Sequence, residues 1–316
     1  MQLEAILKAA VDGEASDVHF KVGLPPVLRV HGHLYPFAQC PPLSREALQQ
    51  FAATLCPDRY VERFSLGEEI DFCHSFAGVG RFRVHLFRTR DNPGLVLRHI
   101  PGSVRSFREL RLPPALEEIA QAPAGLVLVT GEGGGGKSTT LAAMVDHVNR
   151  RRTCHIVTIE DPIEFLFVDN HSVIDQREVG TDSKTFHDAL RAARREDVNV
   201  LLLSALPDRE TIDLAVEQAE AGRLVLAAVP GAGGRSCLER LAGLFPAEQH
   251  ALALRRIGAA AVATVTLRLV PTEDGTARMP DVQVERAFGD EPTDAPPGAV
   301  RGGSRFGEGE RWFSPE

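Results

Sequence analysis

Gly131-Glu132-Gly133-Gly134-Gly135-Gly136-Lys137-Ser138 has the spacing G-x-x-x-x-G-K-[ST], which suits the grip of a nucleoside polyphosphate. Backbone N–H groups of such a loop and of the helix after it point at phosphate oxygens, a lysine places a charge between phosphoryl groups, and a hydroxyl can ligate magnesium. The expected nucleotide-binding residues are therefore Gly131, Gly133, Gly134, Gly135, Gly136, Lys137, Ser138 and Thr139, with ATP and Mg2+ as the ligands and Ser138 on the metal. A glycine-rich turn with a chance Lys-Ser is the plain alternative. Four consecutive glycines loosen the loop, and Glu132 sets a carboxylate beside an anion site, so both features should weaken affinity.

The motif carries meaning only between a strand and a helix, and both are legible. Leu126-Val127-Leu128-Val129-Thr130 is an apolar strand, and Leu141, Met144, Val145 and Val148 recur at helical spacing just beyond the loop. Ile156–Ile159, Val200–Leu203 and Leu224–Val229 are further short apolar strands separated by amphipathic helices. That is the pattern of a parallel sheet covered on both faces, a RecA-like α/β core. The first hundred residues instead mix alternating strands, such as Arg81 to Phe87, with helices, as a smaller α+β domain does. The expected organisation is an N-terminal domain over 1–100, a linker over 101–114, the P-loop core over 115–288, and a disordered Pro/Gly-rich tail over 289–316. Trp312 and Phe313 near the end of that tail have the alternative reading of a docking peptide.

Composition removes several function classes. With 316 residues, 43% of them apolar, the chain is long enough for two packed cores. A net charge of -8 gives no general basic footprint, which argues against direct nucleic-acid binding. The 5 cysteines form no CxxC pair and read as reduced thiols. No apolar run approaches the roughly 20 residues of a membrane span, and the N-terminus lacks signal-peptide character. A cytoplasmic protein is expected, with docking at the inner face of the cytoplasmic membrane as its nearest approach to lipid.

From Gly125 through Met144 the sequence resembles the PilT-type retraction ATPases of type IV pili, within the type II/IV secretion ATPase family. Thr158-Ile-Glu-Asp-Pro-Ile-Glu164 looks like that family's acidic box, Gln176–Gly180 and Ala189–Asp197 extend the match, and Ala15–His19, Gly23–Pro26 and Arg81–Val84 carry it into the N-terminal domain. The resemblance implies a PAS-like N-terminal domain, a homo- or hetero-hexameric ring of motor ATPases, and a pilus or secretion platform protein in the inner membrane as partner. It also implies Glu160, Asp161 and Glu164 near magnesium and the attacking water, with Asp161 on the metal, and Arg81, Arg83 and Arg98 reaching γ-phosphate. For Arg81 and Arg83 the residues alone favour the solvated face of an amphipathic strand.

The chain departs from the family at two places. Where the second acidic strand should end in Gly-Glu-Met-Arg-Asp, it reads Ser204-Ala205-Leu206-Pro207-Asp208, so a methyl stands where a carboxylate should orient water. The two histidines of the histidine box are Arg223 and Pro230. Three readings follow: a nucleotide-binding subunit impaired in hydrolysis beside an active paralogue, an active hexameric ATPase driving pilus retraction or secretion, and a P-loop kinase for a small acceptor, for which no acceptor lid is legible.

Overall fold

The computed structural model of the chain describes residues 2–100, 102–231, 233–272 and 278–286, with the backbone of 310–312. Its contacts divide it into Met1–Ser103 with Pro162–Leu166, and Val104–Asp161 with Phe167–Glu316.

The first unit runs α1 (Leu3–Asp12), β1 (Ala15–Phe20), β2 (Val27–Val30), β3 (His33–Pro36), α2 (Arg45–Leu55), α3 (Asp58–Ser65), β4 (Ile70–Phe76), β5 (Gly80–Thr89) and β6 (Asn92–Ile100). Its sheet is antiparallel in the order β3-β2-β1-β6-β5-β4. Alternation decides which residues go inside: Phe82, Val84 and Leu86 of β5 are buried, while Arg81, Arg83 and His85 on the other face are half-exposed. Ile6 and Leu7 of α1 and Leu48 and Leu55 of α2 join the same core. Ser44 starts α2 by accepting from the Ala47 N–H at 3.2 Å.

The second unit continues with α4 (Ala115–Ala120), β7 (Gly125–Gly131), α5 (Lys137–Asn149), β8 (His155–Glu160), β9 (Val173–Glu178), α6 (Phe186–Ala193), β10 (Val200–Leu203), α7 (Arg209–Glu220), β11 (Leu224–Pro230), α8 (Arg235–Ala242), α9 (His250–Ala260), β12 (Ala261–Pro271), β13 (Arg278–Arg286) and β14 (Glu310–Trp312). The sheet order is β14-β13-β12-β7-β11-β10-β8-β9; β12 through β9 are parallel, and β13 and β14 are antiparallel additions. Together the two units are a smaller N-terminal α+β domain and a RecA-like P-loop core, as read from the sequence. The tail expected over 289–316 lies outside the described residues except at Glu310–Trp312, whose backbone pairs with Val282–Val284 and extends the open edge of β13. Phe313 is outside them.

Both faces of this sheet are covered, which is why its strands read as unbroken apolar runs. One layer packs α4 and α5 on Val127, Val129, Ile156, Val200 and Leu226. The other packs α6 to α9 on Leu126, Leu128, Val157, Ile159, Leu201 and Leu203. Two glycines let β7 run where it does. A Cβ on Gly125 (φ +116°) would lie 2.1 Å from Val262 Cγ2, and one on Gly131 (φ +153°) would lie 2.6 Å from the Leu267 carbonyl oxygen.

Candidate nucleotide site

The loop Gly131–Gly136 leaves the carboxyl end of β7 and turns directly into α5, whose first residue is Lys137. Gly134 and Gly136 hold φ of +74° and +94°, left-handed backbone that glycine enters without steric cost. A Cβ at Gly133, Gly134 or Gly136 would meet nothing within 4 Å, so the mouth of the loop is open space. The Lys137 ammonium donates to the carbonyls of Gly131 and Glu132, both at 2.9 Å, and is thereby held inside the loop. Ser138 is exposed and Thr139 half-buried on the first turn of α5; Glu132 is exposed. Helix start, glycine backbone and ammonium together form an anion cradle.

Parallel strands bring the rest of this edge together. Register sets Pro230 beside Gly131, Leu203 beside Ala227, and Leu203 beside Ile159, so β7, β11, β10 and β8 all deliver their carboxyl ends to one rim. Ligands bind at such rims in open α/β sheets. In β8, Ile156 belongs to the α5 layer and Val157 and Ile159 to the opposite one, so alternation places Thr158 and Glu160 on the α5 face. Glu160 is buried, and its Oε1 accepts from Thr158 Oγ1 at 2.7 Å and Gln176 Nε2 at 3.3 Å. Asp161 is exposed and donates its backbone N–H to Ser204 Oγ at 3.0 Å.

The second acidic strand carries no carboxylate at its tip. Ala205 packs against the layer of α6 to α9. Asp208 is the N-cap of α7, accepting from the Thr211 N–H at 2.8 Å and from Thr211 Oγ1 at 2.9 Å. Arg223 donates Nε to the Val198 carbonyl at 3.1 Å, and Pro230 ends β11 exposed.

Arg81, Arg83 and Glu164 belong to the first unit. Arg83 Nη1 donates to Glu164 Oε1 at 2.9 Å, and its Nε lies 3.6 Å from Asp71 Oδ1. Arg81 donates to the Ile163 carbonyl at 2.7 Å and Ser75 Oγ at 3.1 Å; Arg98 pairs with the buried Asp17 at 2.8 Å. Of the site residues expected from sequence, the loop, Glu160 and Asp161 thus gather at one rim of the second unit, and within the first unit Arg83 and Glu164 pair while Arg81 bonds to the Ile163 carbonyl. Sequence reasoning missed Thr158, two residues before Glu160 on the same strand, and Gln176, whose part depends on pairing between β8 and β9.

The family described as Type II/IV secretion system protein matches residues 1–293. The chain is 36% identical over 284 residues to the type IV pilus ATPase PilU of Pseudomonas aeruginosa, covering 90% of this chain and 74% of that one. It is 38% identical over 252 residues to the type IV pilus retractation ATPase PilT of the same organism, covering 80% and 73%. The crystal structure of the pilus retraction motor PilT with bound ADP superposes with a TM-score of 0.83 at 34% identity, covering 91% of this chain and 83% of that one.

Proposed function

The chain belongs to the type II/IV secretion system protein family, and on that premise we propose that it is a nucleotide-binding subunit of a pilus or secretion motor ring, slow at hydrolysis by itself and working beside an active paralogue. The observation that carries this reading is the contrast along one rim. The phosphate loop is complete, with Lys137 and Ser138 in place, whereas Ala205 packs into an apolar layer and Asp208 is committed to capping α7.

ATP fits the loop. Its mouth is open at Gly133, Gly134 and Gly136, and the Lys137 ammonium can exchange two carbonyl partners for phosphate oxygens. Ser138 and Asp161 are the residues that would hold magnesium, which when bound neutralises phosphate charge. Glu160 is then the carboxylate nearest to the role of orienting water, and losing one positioned base lowers a rate ~10²–10⁴-fold.

In a mixed hexamer, Arg81 and Arg83 are the groups that would face a neighbour's γ-phosphate, and Arg83 would exchange Glu164 for it. An arginine supplied in trans raises such rates ~10³–10⁵-fold. The test is phosphate release by an active paralogue from the same cell, measured alone and after mixing with this chain. Stimulation that Arg83→Ala abolishes supports the reading; absence of co-assembly by light scattering at every ratio refutes the partner role.

A further inference from the structure

We propose that Gln176 is the positioning residue for Glu160, so that β9 sets where that carboxylate stands on the nucleotide rim. The inference rests on the reading that Glu160 is the remaining water-orienting group.

Register pairs Thr158 directly with Gln176 and Glu160 with Glu178, and directly paired residues of neighbouring strands share a face. Gln176 Oε1 accepts from the Phe167 backbone N–H at 2.9 Å, which turns its amide nitrogen toward Glu160 Oε1, 3.3 Å away. The flipped amide would set two oxygens against each other at Glu160 and two nitrogens at Phe167, so the chemistry chooses this orientation. Thr158 Oγ1 donates to the same Glu160 oxygen at 2.7 Å. One oxygen of a buried carboxylate is therefore pinned from its own strand and from the neighbouring one.

Phe167 is the first residue after Pro162–Leu166, the segment whose contacts lie with the first unit, and its backbone N–H orients the Gln176 amide. Losing the Gln176 amide would loosen the hold on the carboxylate. A displacement on the order of 1 Å in a catalytic group can lower a rate ~10²-fold.

The experiment is single-turnover hydrolysis of γ-labelled ATP at pH 8 on the full-length chain, its Gln176→Leu variant and its Gln176→Glu variant, with ATP affinity measured by calorimetry on each. The expected result is affinity within about twofold of wild type and a rate about 10- to 100-fold lower in Gln176→Leu. Gln176→Glu keeps an acceptor for the Phe167 N–H but turns a second acceptor on Glu160, so it should lose at least as much rate as Gln176→Leu, again at unchanged affinity. A Gln176→Leu rate equal to wild type overturns the proposal. So does a wild-type rate no faster than ATP in buffer, or a loss in both variants that tracks affinity. A wild type that binds no ATP removes the phosphate-loop reading itself, and the proposal with it.

Discussion

His187 Nε2 faces Asp208 Oδ1 at 2.9 Å while the same carboxylate oxygen caps α7 through Thr211. Asp208 is thus a structural acid, although it is the next carboxylate after the position where the family carries its glutamate. Burial pushes its pKa up, but hydrogen bonds from the Thr211 N–H, His187 and Thr211 Oγ1 outweigh burial and leave it below the ordinary value. Asp208→Ala should cost about 1 kcal/mol in urea unfolding and leave nucleotide affinity unchanged. Because its folded pKa is depressed, the contribution of Asp208 is present above 3.8 and lost as the pH falls through the folded value. The wild-type and Asp208→Ala stability curves should therefore converge in strong acid.

Acid should also weaken the first unit through its histidines. Burial lowers the pKa of His99, and burial followed by the charge of Arg81 lowers that of His74. A base with a lowered folded pKa is neutral in the fold, so its penalty begins as the pH drops past 6.5 and is complete below the folded value. The His99 ring lies 5.3 Å from Phe82 between centroids. Denaturation midpoints should fall from pH 7 to pH 5, and His99→Phe should make that slope shallower.

Gly125 offers a test of packing. Gly125→Ala meets both a left-handed φ and the Val262 Cγ2 contact at 2.1 Å, and should cost about 1–3 kcal/mol in urea unfolding. Val262→Ala in the same chain removes the contact and leaves the φ strain. The double variant should recover part of the loss.

Much of the core was legible because a sheet buried on both faces must be written in unbroken apolar runs: Leu126–Thr130, Ile156–Ile159 and Val200–Leu203 all lie in strands. The strand–loop–helix setting of Gly131–Ser138 was legible for a related reason, since the motif is confined to residues adjacent in the chain. What was not legible depends on register. Thr158 meets Gln176 because β8 and β9 pair in one alignment, and His187 meets Asp208 because α6 packs beside the start of α7. No local pattern encodes such pairings. The return of Pro162–Leu166 to the contacts of the first unit is likewise invisible to a boundary drawn once along the chain.

The most direct measurement is calorimetric titration of Mg-ATP into the wild type and Lys137→Ala, with steady-state turnover followed on the same preparations. The account predicts that wild type binds, that Lys137→Ala loses at least about tenfold in affinity as its phosphate charge is removed, and that wild-type turnover stays well below about 1 s⁻¹. Equal affinity in the two proteins, or wild-type turnover on the order of 10 s⁻¹, would contradict it.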